Sequence, residues 1–102
     1  MQMLVTDMTR MNDGFVCVAG IDLATGLRVR PVTGARLSNS LIASKGGVFN
    51  FRRVVDLGAV QPAPTPPEIE DVSFNPGAAK HVGTMQAEAF LRSLEEIGRA
   101  HV

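Results

Sequence analysis

A chain of 102 residues, 45% hydrophobic and 20% charged, is long enough for one domain with a core of its own. Ten lysines and arginines balance ten acids, no apolar run reaches the roughly eighteen residues of a membrane span, and the N-terminus lacks the basic start and apolar block of a secretory signal. A cytoplasmic protein with no membrane partner is therefore expected, and the single cysteine, Cys17, rules out an internal disulfide.

The balanced charge hides a division. Residues 1–55 hold seven basic residues (Arg10, Arg28, Arg30, Arg36, Lys45, Arg52, Arg53) against Asp7, Asp13 and Asp22, whereas residues 56–102 hold three against seven acids. Such asymmetry suits either a basic binding face with an acidic tail or two halves that pack on each other or on a second copy, and we favour packing.

Taken in order, Met3 to Met8 is a short apolar strand, and Asn12-Asp13-Gly14 turns the chain. Phe15 to Val32 is a β-hairpin around Ala24-Thr25-Gly26. A three-residue loop sets Leu23 opposite Leu27, Ile21 opposite Val29, Asp22 opposite Arg28 and Gly20 opposite Arg30. That register predicts a core-facing side containing Ile21, Ala19 and Cys17, and a second side bearing both arginines. Pro31, without an N–H, must be an edge, a bulge or a strand exit.

Thr33 to Gly47 predicts a loop with a short helical turn, capped by Ser38 or Asn39 and ended by the glycine pair. Val48 to Gly58 predicts a strand with Phe49, Phe51, Val55 and Leu57 on one face. Arg53 falls on that same face, through a bulge or with its stem packed at the core's edge. Gln61 to Pro67, with four prolines in seven residues, is a stiff extended connector. Glu68 to Phe74 is a last short strand, and Asn75-Pro76-Gly77 a turn. From Thr84, a plausible N-cap, the stripe Ala87, Phe90, Leu91, Leu94 and Ile97 predicts an amphipathic helix stopped at Gly98.

Chemistry-bearing constellations are few. His81 and His101 sit in a loop and a tail, outside any nucleophile motif. Cys17, on the side read as core, is an ordinary structural thiol. No cysteine or histidine spacing suits a metal, and Ser44-Lys45-Gly46-Gly47 lacks the spacing of a phosphate loop. We expect neither cofactor, metal nor catalytic residue, and no enzyme. The arginines stand out instead. Arg28 and Arg30 project from one face of a strand, and Arg52 and Arg10 can join them if their strands are neighbours. A guanidinium fork grips phosphate or carboxylate bidentately. The commoner outcome is internal pairing with Asp22, Asp56, Glu70 or Asp71, and no exposed aromatic is evident for stacking bases.

The stretch VTDMTRMNDGFVCVAGIDLATGLRVRPV resembles the dual OB-containing domain family of bacteria. So do Arg36-Leu37, Gly46-Gly47-Val48-Phe49, Val54-Val55-Asp56-Leu57-Gly58 and Pro67-Glu68-Ile69-Glu70-Asp71. Together they span roughly residues 3–74. The resemblance implies OB-like barrels, whose general habit is to bind oligonucleotides on a sheet face, and it places Arg10, Arg28 and Arg30 among the candidates.

The fold expected is therefore mainly β (α+β): a small curled antiparallel sheet or OB-like partial barrel with one C-terminal helix. Residues 1–83 form the β domain with its proline-rich connector at 61–67. Residues 84–102 form the helix, packed on the same domain or on a partner. The function expected is a non-enzymatic binding module for nucleic acid or another anionic ligand, through Arg10, Arg28, Arg30 and Arg52. The alternative is a protein-interaction or homodimerisation module with no nucleic-acid role.

Overall fold

The computed structural model describes residues 1–34, 36–64 and 70–100. Strand β1 (Gln2–Arg10) pairs antiparallel with β2 (Phe15–Asp22), and a bulge at Thr6 interrupts their register between Val5 and Asp7. A 3-10 turn, Asn12–Gly14, joins them where Asn-Asp-Gly predicts one. Then come β3 (Arg28–Val32), β4 (Leu37–Ser38), β5 (Arg53–Asp56), β6 (Val60–Pro62), β7 (Asp71–Phe74) and β8 (Lys80–Thr84), and helix α1 (Ala87–Ala100) ends the described chain. The expected fold class holds: a mostly β chain with a curled sheet and one C-terminal helix.

The hydrogen-bonded order is β6-β7-β3-β2-β1-β5-β8. Strands β5 and β6 stand far apart in that order but are consecutive in the chain, divided only by a bend at Leu57, Gly58 and Ala59. Gly58 turns the corner at φ 72°, a backbone region that disfavours side-chain-bearing residues. The ladder therefore comes round on itself through one bent strand, and β1, β2, β3, β7 and β5–β6 are its staves. Among the described strands, each of these ladders is antiparallel except β3 with β7, which is parallel. This is the layout of an OB barrel, a small and partly open one.

Inside lie Met3, Val5, Val18, Val29, Val55 and Phe74, which strand alternation turns inward. Residues 37–49 fill one end, contributing Leu37, Ile42 and Phe49 to the same core. Ser38 caps the first of two 3-10 turns there by accepting from Ser40 N–H, as its position predicts. Phe49 meets Phe74 edge to face, centroids 5.9 Å apart at 86°, and burying that ring contributes about 2–3 kcal/mol.

Four expectations need correction. The hairpin register is one residue off: Gly20 faces Val29 and Ile21 faces Arg28. Asp22 N–H donates to Leu27 C=O, Gly26 N–H to Asp22 C=O, and the Asp22 carboxylate accepts from Ala24 N–H. This makes a four-residue loop out of Leu23 to Gly26. The slip inverts the faces, so Val16 and Val18 are the buried pair while Cys17 is only half-buried on the other side.

Second, Val48 to Gly58 is not one strand. A turn with Arg52 at φ 68° breaks it, leaving Phe49 buried and Phe51 49% exposed. Arg53 does lie at the core's edge, its Nη1 donating to the carbonyls of Gly47 (3.4 Å) and Val48 (3.2 Å). Third, the region read as a loop around His81 is β8, paired with β5. Fourth, Thr84 ends that strand instead of capping a helix; α1 starts at Ala87 and runs past Gly98. Of the proline segment, Pro62 lies in β6 and Ala63 N–H donates to Asp71 C=O. Residues 65–69, which include the end of that segment and the start of the strand expected over Glu68 to Phe74, lie outside the described residues.

Candidate nucleic-acid interface

The alternation of β3 sends Arg28 and Arg30 to the outer face, beside Ile21, Ala19 and Cys17 of β2. Because β3 and β7 run parallel with Arg30 opposite Asp71, the two side chains meet as a fork. Nε reaches Oδ1 at 2.6 Å and Nη2 reaches Oδ2 at 2.8 Å. Asp71 is only 3% exposed. Its hydrogen bonds push the Arg30 guanidinium further above the ordinary arginine value, against the opposing pull of burial. Arg28 lies 3.4 Å from Asp7 and 3.9 Å from Glu70. The expectation that Arg28 pairs with Asp22 thus gives way to partners from β1 and the segment before β7, and Arg30 finds its carboxylate outside the hairpin, on β7. Arg30–Asp71 and Arg28–Glu70 join the basic first half of the chain to the acidic second half, whereas Arg28–Asp7 stays within the first.

Arg10 stands elsewhere. Beyond the Thr6 bulge, Met8 and Arg10 share the inner face with Val16 and Val18, and Arg10 lies at the barrel end that residues 37–49 fill. There it lines a cleft of about 250 Å³ with Phe49 on one wall and Asn50, Phe51 and Ser44 around the rim. No lining residue of this cleft is acidic. Arg52 follows Phe51 directly; its N–H donates to Val5 C=O and its own carbonyl accepts from Met85 N–H. Neither Arg10 nor Arg52 makes an ion pair among the described residues.

Around the β1–β2 turn a second cluster continues this surface. The Arg36 guanidinium lies 4.9 Å from the centroid of the Phe15 ring, a cation–π contact. Arg36 and Met11 both line a cavity that again lacks any acid. The opposite side of the barrel differs, for the cleft there is lined by Asp22, Glu70 and Asp71 as well as Arg28. Carboxylates thus line the cleft beside Arg28, whereas the linings that hold Arg10 and Arg36 contain none.

Of the residues singled out from the sequence, the structure brings together Arg28 and Arg30 on the outer face. Arg10 lies on the inner face at the barrel end, and Arg52 sits in the turn before β5. Sequence reasoning missed Arg36, Phe15 and Phe51. Phe51 carried the signature of a core residue, two positions after Phe49, and only the unforeseen turn at Arg52 exposes it. Among the described residues no three histidine, cysteine or acidic side chains stand close enough to hold a metal ion, and no helix is long and apolar enough to cross a membrane.

Compared with known proteins, the chain matches one family model, the dual OB-containing domain, over residues 1–100. The chain belongs to that family. No curated protein and no solved structure matches it.

Proposed function

We propose that this domain is a non-enzymatic, cytoplasmic binding module for single-stranded nucleic acid, and that it uses the barrel end bearing Arg10, Phe51, Arg36 and Phe15. One observation carries the reading: Arg10 and Arg36, which make no ion pair among the described residues, stand next to Phe51 and Phe15 around clefts lined by no acid. Single strands are held by such a combination, bases stacking on rings for about 1–3 kcal/mol each and guanidinium groups tracking the phosphates. Arg52 extends the charged track from Phe51. Arg28 and Arg30 serve the fold, because Asp7, Glu70 and Asp71 already compensate them.

Fluorescence anisotropy with a labelled oligothymidylate of about ten nucleotides, titrated at several salt concentrations, tests this. Two or three phosphate contacts give a log–log salt slope of about −1.4 to −2.1. Arg10→Ala and Phe51→Ala should each weaken binding about tenfold, while Arg28→Ala leaves it unchanged. Absence of salt-dependent binding at low ionic strength, or an equal loss in Arg28→Ala, sinks the reading.

A second reading, self-association without a nucleic-acid role, is favoured by Leu91 and Val82, which are 59% and 50% exposed on α1 and on the sheet's outer strand β8. Sedimentation velocity over a concentration series checks it: a dimer that Leu91→Glu dissociates supports it, and a strict monomer at every concentration removes it.

A further inference from the structure

The barrel wall has a gap between β2 and β3. Their ladder joins Gly20 to Val29 and Ile21 to Arg28, and then it stops. Continuing the register would set Val18 opposite Pro31, which has no N–H to donate. The first half of β2 turns to β4 instead, and the last part of β3 turns to β7. Between the separated strands lies a cavity of about 140 Å³, the space of roughly five water molecules. Val16, Val18, Pro31 and Val32 make it apolar.

Its polar groups are cationic donors. Arg30 is held by Asp71 through Nε and Nη2, which fixes the guanidinium and leaves Nη1 toward the cavity, 3.9 Å from Cys17 Sγ. Arg36 lines the same space, braced on Phe15. Asp71 compensates Arg30, whereas Arg36 has no carboxylate partner among the described residues. The cavity thus holds one positive charge in excess, fixed donors and a short apolar wall.

We propose that this seam binds a small organic carboxylate, its anionic group between Arg36 and Arg30 Nη1 and its apolar body, a few carbons long, against the valines and Pro31. One excess cation matches a monoanion, and planar guanidinium groups match a carboxylate's two oxygens. The site shares Arg36 with the nucleic-acid surface, but its ligand neither stacks nor carries phosphate, and its test reads Cys17 with no oligonucleotide present, so either reading can fail without the other.

Cys17, the sole cysteine, reports on it. Iodoacetate and iodoacetamide both alkylate a thiolate, forming a C–S bond as iodide leaves and the thiol proton passes to buffer, but only iodoacetate carries a carboxylate. Mass spectrometry gives the two rates at Cys17, and their ratio is compared with that for free cysteine. The seam site raises the ratio about tenfold with saturation in iodoacetate, and butyrate protects Cys17 from both reagents. Arg36→Gln returns the ratio to the free-cysteine value, and Arg10→Gln, outside the cavity, leaves it high. A ratio equal to that of free cysteine overturns the proposal, as does no butyrate protection. An equal fall in Arg10→Gln, which means attraction by the whole surface, also overturns it. So does a Cys17 inert to both reagents, since the cavity is then closed to solutes.

Discussion

At the scale of single residues, the pair Arg30–Asp71 joins chemistry to topology. A parallel ladder between β3 and β7 sets the two side by side, and the fork locks strands that are forty-one residues apart. Asp71 is nearly inaccessible, so removing its charge strands a half-buried guanidinium and replaces one of its two acceptors by an amide NH2 that faces a donor. Breaking a fully buried pair typically costs about 3–5 kcal/mol; with Arg30 partly in reach of water, Asp71→Asn is expected to cost about 2–3 kcal/mol in urea unfolding. The double variant Arg30→Met, Asp71→Leu should recover most of that, since two apolar side chains leave no orphaned charge. A loss of under about 0.5 kcal/mol for Asp71→Asn would show a pair acting as a surface salt bridge. The direction of the Arg30 shift adds a sign. A cation raised above its ordinary value stabilises the fold fully at every pH below that value, and it loses the contribution only as pH climbs through the folded value. Arg30 itself therefore gives stability no pH dependence between about pH 5 and pH 10.

At the scale of elements, the hairpin shows what is legible in a sequence and what is not. Its two strands follow from β-branched alternation, and the departure of β3 from β2 follows from Pro31. Register does not. Asp22 and Gly26 suit a three-residue loop as well as a four-residue one, and the structure has the longer one, with the Asp22 side chain closing on Ala24 N–H. One residue of slip then moved Cys17 out of the core, and with it hid the seam cavity from sequence reasoning. Gly20 offers a sharper clue in hindsight. A Cβ at that position would overlap the carbonyl of Leu4 across the ladder, so β1 and β2 approach as closely as they do because position 20 has no side chain. Gly20→Ala is expected to cost about 3 kcal/mol or more, because the obstacle is backbone and cannot rotate away. Gly83→Ala in β8 meets nothing within 4 Å and should stay within about 0.5 kcal/mol of the parent. Equal thermal shifts for the two variants would refute a steric role for Gly20.

For the molecule as a whole, stability should be graded from barrel to helix. The buried core draws on β1, β2, β3, β5, β7 and residues 37–49, and each barrel strand has ladder partners. Helix α1 was visible in the sequence through its apolar stripe, yet where that stripe goes was not, because periodicity identifies a face without identifying its neighbour. In the structure Ser93 Oγ bonds Met85 Sδ at 3.6 Å, while Leu91 stays 59% and Leu94 37% exposed. An isolated helix of this length is marginal in water, so α1 should open and close far more readily than the barrel. Hydrogen exchange followed by NMR tests the gradient. The amides of Val5 and Val18 should exchange slowest, near the rate set by global unfolding, and those of Leu91 to Leu94 at least about a hundredfold faster, a difference of about 2.7 kcal/mol. At a concentration where sedimentation shows a monomer, equal protection in α1 and β1 would mean that the helix folds as part of the core. If the helix gains protection only as concentration rises, its apolar stripe is being covered by a second copy, and that outcome joins the stability of α1 to the self-association reading.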